Sequence, residues 1–323
     1  MLQLMKGDDC LAQATRVASY DPHQHVRILM GTMNGANWLE YQLESFLAQT
    51  HRNWTLWISD DGSTDGTREI IERFARHHPD RVERVLEGPK MGSAANYLSL
   101  LCHPDLPDGV VALSDQDDVW LPVKLERALG QLAQAGSEPC AWSARYQFTD
   151  EELRLLRPSP EWQRGPSLEN ALVQNILSGH TLTLNPAALA LIRQAGPQPV
   201  PHHDWWIYLV LMACRGRALV DTETLLFYRQ HDGNALGGRF VESAHRTRAQ
   251  MLMDGDLRDW IEANLQALMT ADLPLAEDVP QLCEGWLQSG RLGRLALMQR
   301  HGVHRQFPQE TALIWVVGLF GRL

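Results

Sequence analysis

The sequence predicts an α/β fold, a mixed and mostly parallel sheet flanked by helices, followed by a helical C-terminal region. Two observations carry that expectation. From Val26 to about Gly238, short apolar runs alternate with longer amphipathic ones, the rhythm of βαβ units. Beyond that point the strand signals stop, and residues 240–323 read as helices interrupted at Pro274, Pro280, Gly290 and Pro308. The implied organisation is a leader over 1–25, an α/β domain over 26–238 and a helical region over 239–323.

Val26 to Met33 reads as the first strand, and Trp38 to Gln49 as a helix with Leu39, Leu43, Phe46 and Leu47 at helical spacing. Trp54 to Ser59 is a second strand, and Thr64 to His77 a helix with Ile70, Ile71 and Phe74 on one face. Val82 to Leu86 and Val110 to Leu113 read as two further buried strands, with a helix over Ser93 to Cys102 between them. Leu121 to Ala135 reads as a helix with Pro122 in its first turn, where a missing amide donor does no harm. After Cys140 the rhythm loosens. Trp142 to Phe148 is expected as a strand, Leu168 to Gln174 as a short helix and His180 to Leu184 as an extended segment. Pro186 to Arg193 and Asp204 to Cys214 read as helices, and Ala218 to Asp221 and Leu225 to Gln230 as closing strands.

Hydrophobic residues at 44% and charged residues at 21% describe an ordinary folded chain. A net charge of −10 argues against a general nucleic-acid binder, which needs a basic face. An acidic protein that handles phosphate has a local electrostatic problem, which a divalent cation solves. Cys10, Cys102, Cys140, Cys214 and Cys283 show no CxxC spacing, which points to reduced thiols and not to a disulfide frame or a zinc site. Met1 to Tyr20 lacks the apolar core of a signal peptide, and no stretch approaches the ~20 apolar residues of a membrane span. A cytoplasmic location is the expectation. Thr311 to Leu323 is strongly apolar but short, and is expected either to dock peripherally on a membrane or to pack on the catalytic domain or across a homodimer.

Three acidic clusters fall at or just after strand ends, where open α/β sheets bind ligands. The first is Ser59-Asp60-Asp61-Gly62-Ser63-Thr64-Asp65, in which a carboxylate can accept a base N–H or ribose hydroxyls, or simply build a strand–turn–helix junction. In the second, Ser114-Asp115-Gln116-Asp117-Asp118-Val119-Trp120, three acids repel one another. The D-x-D spacing of Asp115 and Asp117 suits Mg²⁺ or Mn²⁺. The alternative, an acidic helix N-cap, needs one acid where this segment has three. The third is His202-His203-Asp204-Trp205-Trp206, where partial desolvation can tune Asp204 as a general base; otherwise Asp204 is a cap and the tryptophans are core. His202 and His203 have no partner at zinc-ligand spacing.

Read in order, these clusters resemble the family-2 glycosyltransferases of the GT-A fold, a Rossmann-like nucleotide-diphospho-sugar transferase architecture. The resemblance runs from Val26 to about Gly238 and rests on T-M-N-G-A-N-W-L (Thr32 to Leu39), S-F-L-A-Q-T (Ser45 to Thr50), S-D-D-G-S-T-D-G-T (Ser59 to Thr67), G-P-K-M-G-S-A-A-N (Gly88 to Asn96), S-D-Q-D-D-V-W (Ser114 to Trp120), S-G-H-T-L-T-L-N (Ser178 to Asn185), H-D-W-W (His203 to Trp206) and Y-R-Q-H (Tyr228 to His231). The spellings of the S-D-Q-D-D-V-W, H-D-W-W and Y-R-Q-H motifs are similar to those of bacterial rhamnosyltransferase-like enzymes of O-antigen and capsule synthesis.

The resemblance implies inverting transfer of a sugar from a nucleotide-diphosphate donor, such as dTDP-rhamnose or a UDP-sugar, to a saccharide or lipid-linked saccharide acceptor. It assigns Asp204 as catalytic base, Asp61 to the nucleobase with Thr32 and Asn34 beside it, and Asp115 to the ribose or a metal-bound water. Asp117 would be the direct metal ligand and His231 a further metal or diphosphate contact. Lys90 stands where the family often has asparagine, and either meets a phosphate or is a solvated surface lysine. Asn96 falls in the same donor segment. Gly179 and His180 lie in the acceptor-side segment and, with Trp120 and Trp205, are expected to line the sugar pocket. Two other classes remain open, a metal-dependent nucleotidyltransferase and a non-catalytic nucleotide-sugar-binding assembly protein. Thr32 to Trp38 lacks the glycine-rich basic loop of the first, and the acids at 61, 115, 117 and 204 count against the second.

Overall fold

The structure, a computed structural model, describes residues 20–231 and 255–323. Strands β1 (Val26–Thr32), β2 (Trp54–Asp60), β3 (Val82–Glu87) and β4 (Val110–Ser114) form a parallel block in the order β3-β2-β1-β4. Helices α1 (Leu39–Leu47), α2 (Thr67–His77) and α3 (Ser93–Leu101) connect them. The other half of the sheet is mixed. The two-residue β8 (Thr183–Leu184) runs antiparallel between β4 and β6 (Cys140–Thr149), and β6 pairs in parallel with β9 (Arg217–Arg229). Antiparallel β5 (Val119–Trp120) closes the far edge on β9, and β7 (Leu155–Pro158) adds to β6. Helices α4 (Lys124–Leu132), α5 (Leu168–Ala171), α6 (Pro186–Ala195) and α7 (His203–Ala213) cover the sheet.

Alternation along β1 shows how the two faces are filled. Ile28 and Met30 join one apolar cluster with Phe46, Ile58, Trp120 and Trp142, while Leu29 joins the opposite one with Leu98, Leu113, Trp206 and Leu209. Every residue of β4 is buried, as expected for a central parallel strand covered on both sides. In α7 only Asp204 and Met212 escape full burial, so this helix is held on all sides. Helices α8 (Asp256–Thr270), α9 (Val279–Gln288), α10 (Arg291–His301) and α11 (Pro308–Leu319) feed Ile261, Leu265, Leu268, Trp286, Met298 and Ile314 into the same core as α7.

Several elements differ from the sequence expectation. Strand β3, expected to be buried, is a mostly exposed edge strand with Val85 49% exposed, because no strand lies beyond it. The two closing strands are one continuous β9 whose pairing with β6 shifts register between Ser143 and Arg145; the polar residues 221–224 that broke the apolar pattern lie at this irregularity. Helix α2 begins at Thr67 and not Thr64, since the Asp65 carboxylate accepts the Thr67 N–H at 3.0 Å and the Ala36 N–H at 3.1 Å. Helix α4 begins at Lys124, beyond Pro122, and the segment from His180 starts as a short 3₁₀ turn (Gly179–Thr181). β5 and β7 were not foreseen; a two-residue strand and an exposed four-residue strand carry no periodic signal. The boundary placed at 238/239 and most of the leader lie outside the described residues.

Ile58 and Val85 are register partners on β2 and β3, yet Ile58 is wholly buried. Ile58→Ala is expected to lower the unfolding free energy by about 2–5 kcal/mol, and Val85→Ala to change it by no more than about 0.5 kcal/mol, as measured by urea denaturation.

Candidate active site

Strand β4 ends at Ser114, and β5 begins only at Val119, so residues 115–118 are pinned between two hydrogen-bonded strands. Side chains fix the segment further. Ser114 Oγ accepts from Gln42 Nε2 at 3.0 Å and donates to the Asp115 carbonyl at 2.8 Å. Gln116 clips the loop to the end of β1, accepting the Met33 N–H at 2.9 Å and donating to the Met33 carbonyl at 2.8 Å.

Three carboxylates result. Asp115 accepts from the Tyr97 hydroxyl at 2.7 Å, and its Oδ2 lies 3.9 Å from His180 Nδ1. Although its side chain keeps 38% of its surface exposed, partial burial, then repulsion from Asp117, pushes its pKa up to about 7, with the Tyr97 hydrogen bond opposing and the Asp204 charge adding a smaller rise. Asp117 is buried and meets His231 Nε2 at 2.8 Å. Asp118 is fully buried, and neither of its carboxylate oxygens has a hydrogen-bond partner among the described residues. Burial, followed by repulsion from Asp117 and Asp115, holds its carboxyl well above the usual range, with the Arg229 amide and the buried Lys124 ammonium opposing the rise.

His180 stacks on Tyr228 with ring centroids 4.8 Å apart and planes 5° from parallel. Burial lowers its pKa to about 3, so the imidazole is neutral and offers a lone pair. Asp115, Asp118 and His180 each present a ligand atom within 4.8 Å of the others. Nearby, Trp38 stacks on His231 at 5.5 Å, and the Arg229 guanidinium covers Trp38 and Tyr41 at 4.7 and 4.9 Å.

Asp204 lies in the first turn of α7, where its Oδ2 accepts the Gly179 N–H at 3.0 Å and its Oδ1 the Trp205 N–H at 2.8 Å. Gly179 must be glycine for this approach, because a Cβ there would come within 2.6 Å of His203 Nε2. His203 stacks on Tyr97 at 4.2 Å, and the Tyr97 hydroxyl in turn reaches Asp115. Burial lowers the His203 pKa to about 4. The neutral His203–Tyr97 stack thus spaces Asp204 from the acidic segment.

On the β1–β2 side, Asp61 is buried, and its two oxygens accept the Lys90 and Gly92 amides at 2.6 and 2.9 Å, folding the 88–92 loop over the end of β2. Asn96 braces the same turn from beneath, donating to the Ser59 carbonyl and accepting from Ser59 Oγ. Thr32 is buried with its hydroxyl donating to Asp60 at 3.0 Å. Asn34 is exposed at the rim, with φ +50°, and accepts the Thr64 N–H at 2.8 Å. Lys90 is exposed, also in the left-handed region with φ +59°.

The structure therefore gathers Asp115, Asp117, His180, His231, Gly179 and Asp204 at the carboxyl ends of the central strands, with Asp61, Asn96 and Lys90 at the neighbouring turn. Two expected sugar-pocket residues are elsewhere. Trp120 is fully buried against Phe46, with the Lys124 ammonium 3.5 Å from its ring centroid, and Trp205 is buried with Nε1 donating to the Ala171 carbonyl. Their indoles were drawn inward by the large apolar area they bury. In the sequence Asp118 is one acid of a cluster with no distinct role, and Tyr97, a lone tyrosine in a helix, carries no motif. The third adjacent acid was the available signal for Asp118.

Residues 27–193, more than half of the 323-residue chain, match the family described as Glycosyl transferase family 2. The chain is similar to dTDP-rhamnosyl transferase RfbG of Shigella flexneri, at 24% identity over 83% of this chain and 91% of the relative. It is also similar to putative glycosyltransferase EpsE of Bacillus subtilis, at 34% identity over 33% of this chain and 38% of the relative. Among solved structures, S. aureus TarS 1-349 in complex with UDP-GlcNAc matches with TM-score 0.55 at 13% identity, over 81% of this chain and 71% of that one. Mannosyltransferase PcManGT from Pyrobaculum calidifontis, in complex with GDP-Man and Mn²⁺, matches with TM-score 0.52 at 19% identity, over 99% and 92%. At these identities the structural likeness shows the fold, which is GT-A.

The Asp115 pKa gives a test. Raised from 3.8 to about 7, it contributes stability that is complete below the lower value and lost as pH rises through the higher one. Asparagine does not titrate. In chelator, the Tm of Asp115→Asn relative to the unsubstituted chain is expected to rise between about pH 5.5 and pH 8. A Tm difference independent of pH would contradict this environment for Asp115.

Proposed function

Because the chain belongs to glycosyl transferase family 2, we propose that it moves a sugar from a nucleotide-diphosphate donor to an acceptor hydroxyl, inverting the anomeric carbon with the help of a divalent cation. The observation that carries this reading is the grouping of Asp115 and Asp118 with His180, beside Asp117 and near enough to Asp204 for its charge to act on Asp115. The orphaned oxygens of buried Asp118 and the neutral ring of His180 fit a cation, and a carboxylate-rich donor set suits Mg²⁺ or Mn²⁺. Asp115, Asp118 and His180 would hold it, with Asp117 and His231 beside them. When bound, the cation neutralises charge that develops on the departing diphosphate.

The protein's own groups do the rest. Asp204, steadied through Oδ2 by the Gly179 amide, takes the proton of the acceptor hydroxyl. That oxygen forms its bond to the anomeric carbon on the face opposite the breaking bond to the diphosphate. The Asp61 turn receives the nucleobase through lone pairs left after its bonds to Lys90 and Gly92, and Lys90 and Asn34 border it at the surface. Likeness to a dTDP-rhamnosyl transferase along 91% of that relative favours dTDP-rhamnose over a UDP-sugar as donor.

Nucleotide release from a panel of nucleotide sugars with Mn²⁺ tests the reading. Asp204→Asn is expected to lower kcat at least ~100-fold while leaving donor KM nearly unchanged. Asp117→Ala and Asp118→Asn are expected to weaken Mn²⁺-dependent donor binding itself, read by calorimetry. Normal turnover by Asp204→Asn contradicts the base assignment.

A further inference from the structure

Beyond its polar first turn, from Ala312 onward, helix α11 is apolar all round, but only part of it is covered. Ile314, Val317 and Gly318 face inward. Leu313, Val316 and Leu319 recur at three-residue steps on the outer side, and Phe320 follows them, exposed by 46%, 49%, 56% and 74%. Ala312 is also exposed, and no charged residue interrupts the stripe. The start of α10 lies beside the end of α11, because Leu295 packs on Gly318 and Arg294 donates to the Leu323 carbonyl at 2.8 Å. That neighbouring helix also exposes Leu292, by 68%.

The charges around this surface are one-sided. From Arg291 to Leu323 the chain carries five arginines and a single acidic side chain, Glu310, although its net charge is −10. Glu310 is engaged by Arg305 at 3.1 Å, and Arg294 by Glu262 at 2.7 Å. Arg291, Arg300 and Arg322 form no ion pair among the described residues. We infer that the outer face of α11, with Leu292, docks on an anionic lipid surface, the apolar stripe entering the interface and the free arginines meeting lipid headgroups. Charge selects this occupant over a second copy of the chain. An isologous contact would set the same arginines against each other with no free carboxylate in the patch. The helix lies on the surface and does not cross it, since no helix of the described residues is long and apolar enough to span.

Docking there also orients the catalytic domain. The α10–α11 connection is fastened to the 160–174 segment by Gln306, which accepts the Arg164 N–H at 2.8 Å, and by Phe307 against Trp162. Gln174 donates to Glu310 at 3.3 Å. This inference does not depend on the donor, metal or base assignments above.

Flotation of the full chain tests it, using phosphatidylcholine vesicles and vesicles in which a third of the lipid is phosphatidylglycerol. The chain is expected to float with the anionic vesicles and to remain behind with the neutral ones, and high salt to weaken binding. Val316→Glu with Phe320→Glu should abolish flotation, and Arg291→Glu with Arg322→Glu should weaken it at least about tenfold, with Tm unchanged in both. Absence of flotation on anionic vesicles, or flotation insensitive to both variants, overturns the inference. So does a dimer in light scattering that Phe320→Glu dissolves, which would assign the face to a second copy.

Discussion

Like charge held at close range in a poorly solvated place is the constraint that organises this protein. Asp115, Asp117 and Asp118 follow a wholly buried strand, and Asp204 faces them from the first turn of a helix that is itself enclosed. In such surroundings carboxylates repel, and burial together with that repulsion raises the proton affinities of Asp115 and Asp118. The backbone has no freedom to relieve the crowding. β5 pairs with β9, Gln116 is clipped to Met33, and Asp117 lies against His231. A bound cation would offset that repulsion.

Most of the surrounding architecture serves to hold that arrangement still. The parallel block delivers Asp61 and Asp115 at the carboxyl ends of β2 and β4, which flank β1 on either side. The mixed half brings back β8 and the Gly179–Thr181 turn, whose amide anchors Asp204. Two neutral buried histidines, His180 and His203, fill the space between, each stacked on a tyrosine. Neutral rings in these positions space the carboxylates without adding charge to the cleft. The C-terminal helices extend the core behind α7, so the segment bearing Asp204 is supported from the far side by Ile261, Leu265 and Trp286.

What could be read from sequence followed the strength of the periodic signal. β1, β2 and β4 were legible because buried parallel strands are short unbroken apolar runs, and the acids that end them stand out against that background. β3 was placed correctly along the chain but not in depth, since Val82 and Val85 look the same on an edge as in a centre. Trp120 and Trp205 looked like sugar platforms because they adjoin acids, yet which way an indole turns is decided by packing that no local motif records. Asp61, Asp115, Asp117 and Asp204 were legible as carboxylates at strand or helix ends. The contributions of Asp118, Tyr97 and His203 depend on burial and ring stacking across distant elements, and were not.

The central claim is that the acidic segment after β4 and Asp204 share one cleft around a cation. Anomalous diffraction from crystals soaked with Mn²⁺ and a nucleoside diphosphate tests it most directly. The account predicts one Mn²⁺ at about 2.0–2.3 Å from carboxylate oxygens of residues 115–118, with phosphate oxygens completing its shell on the side facing Asp204. A cation bound elsewhere, or a nucleotide seated away from that segment, would contradict it.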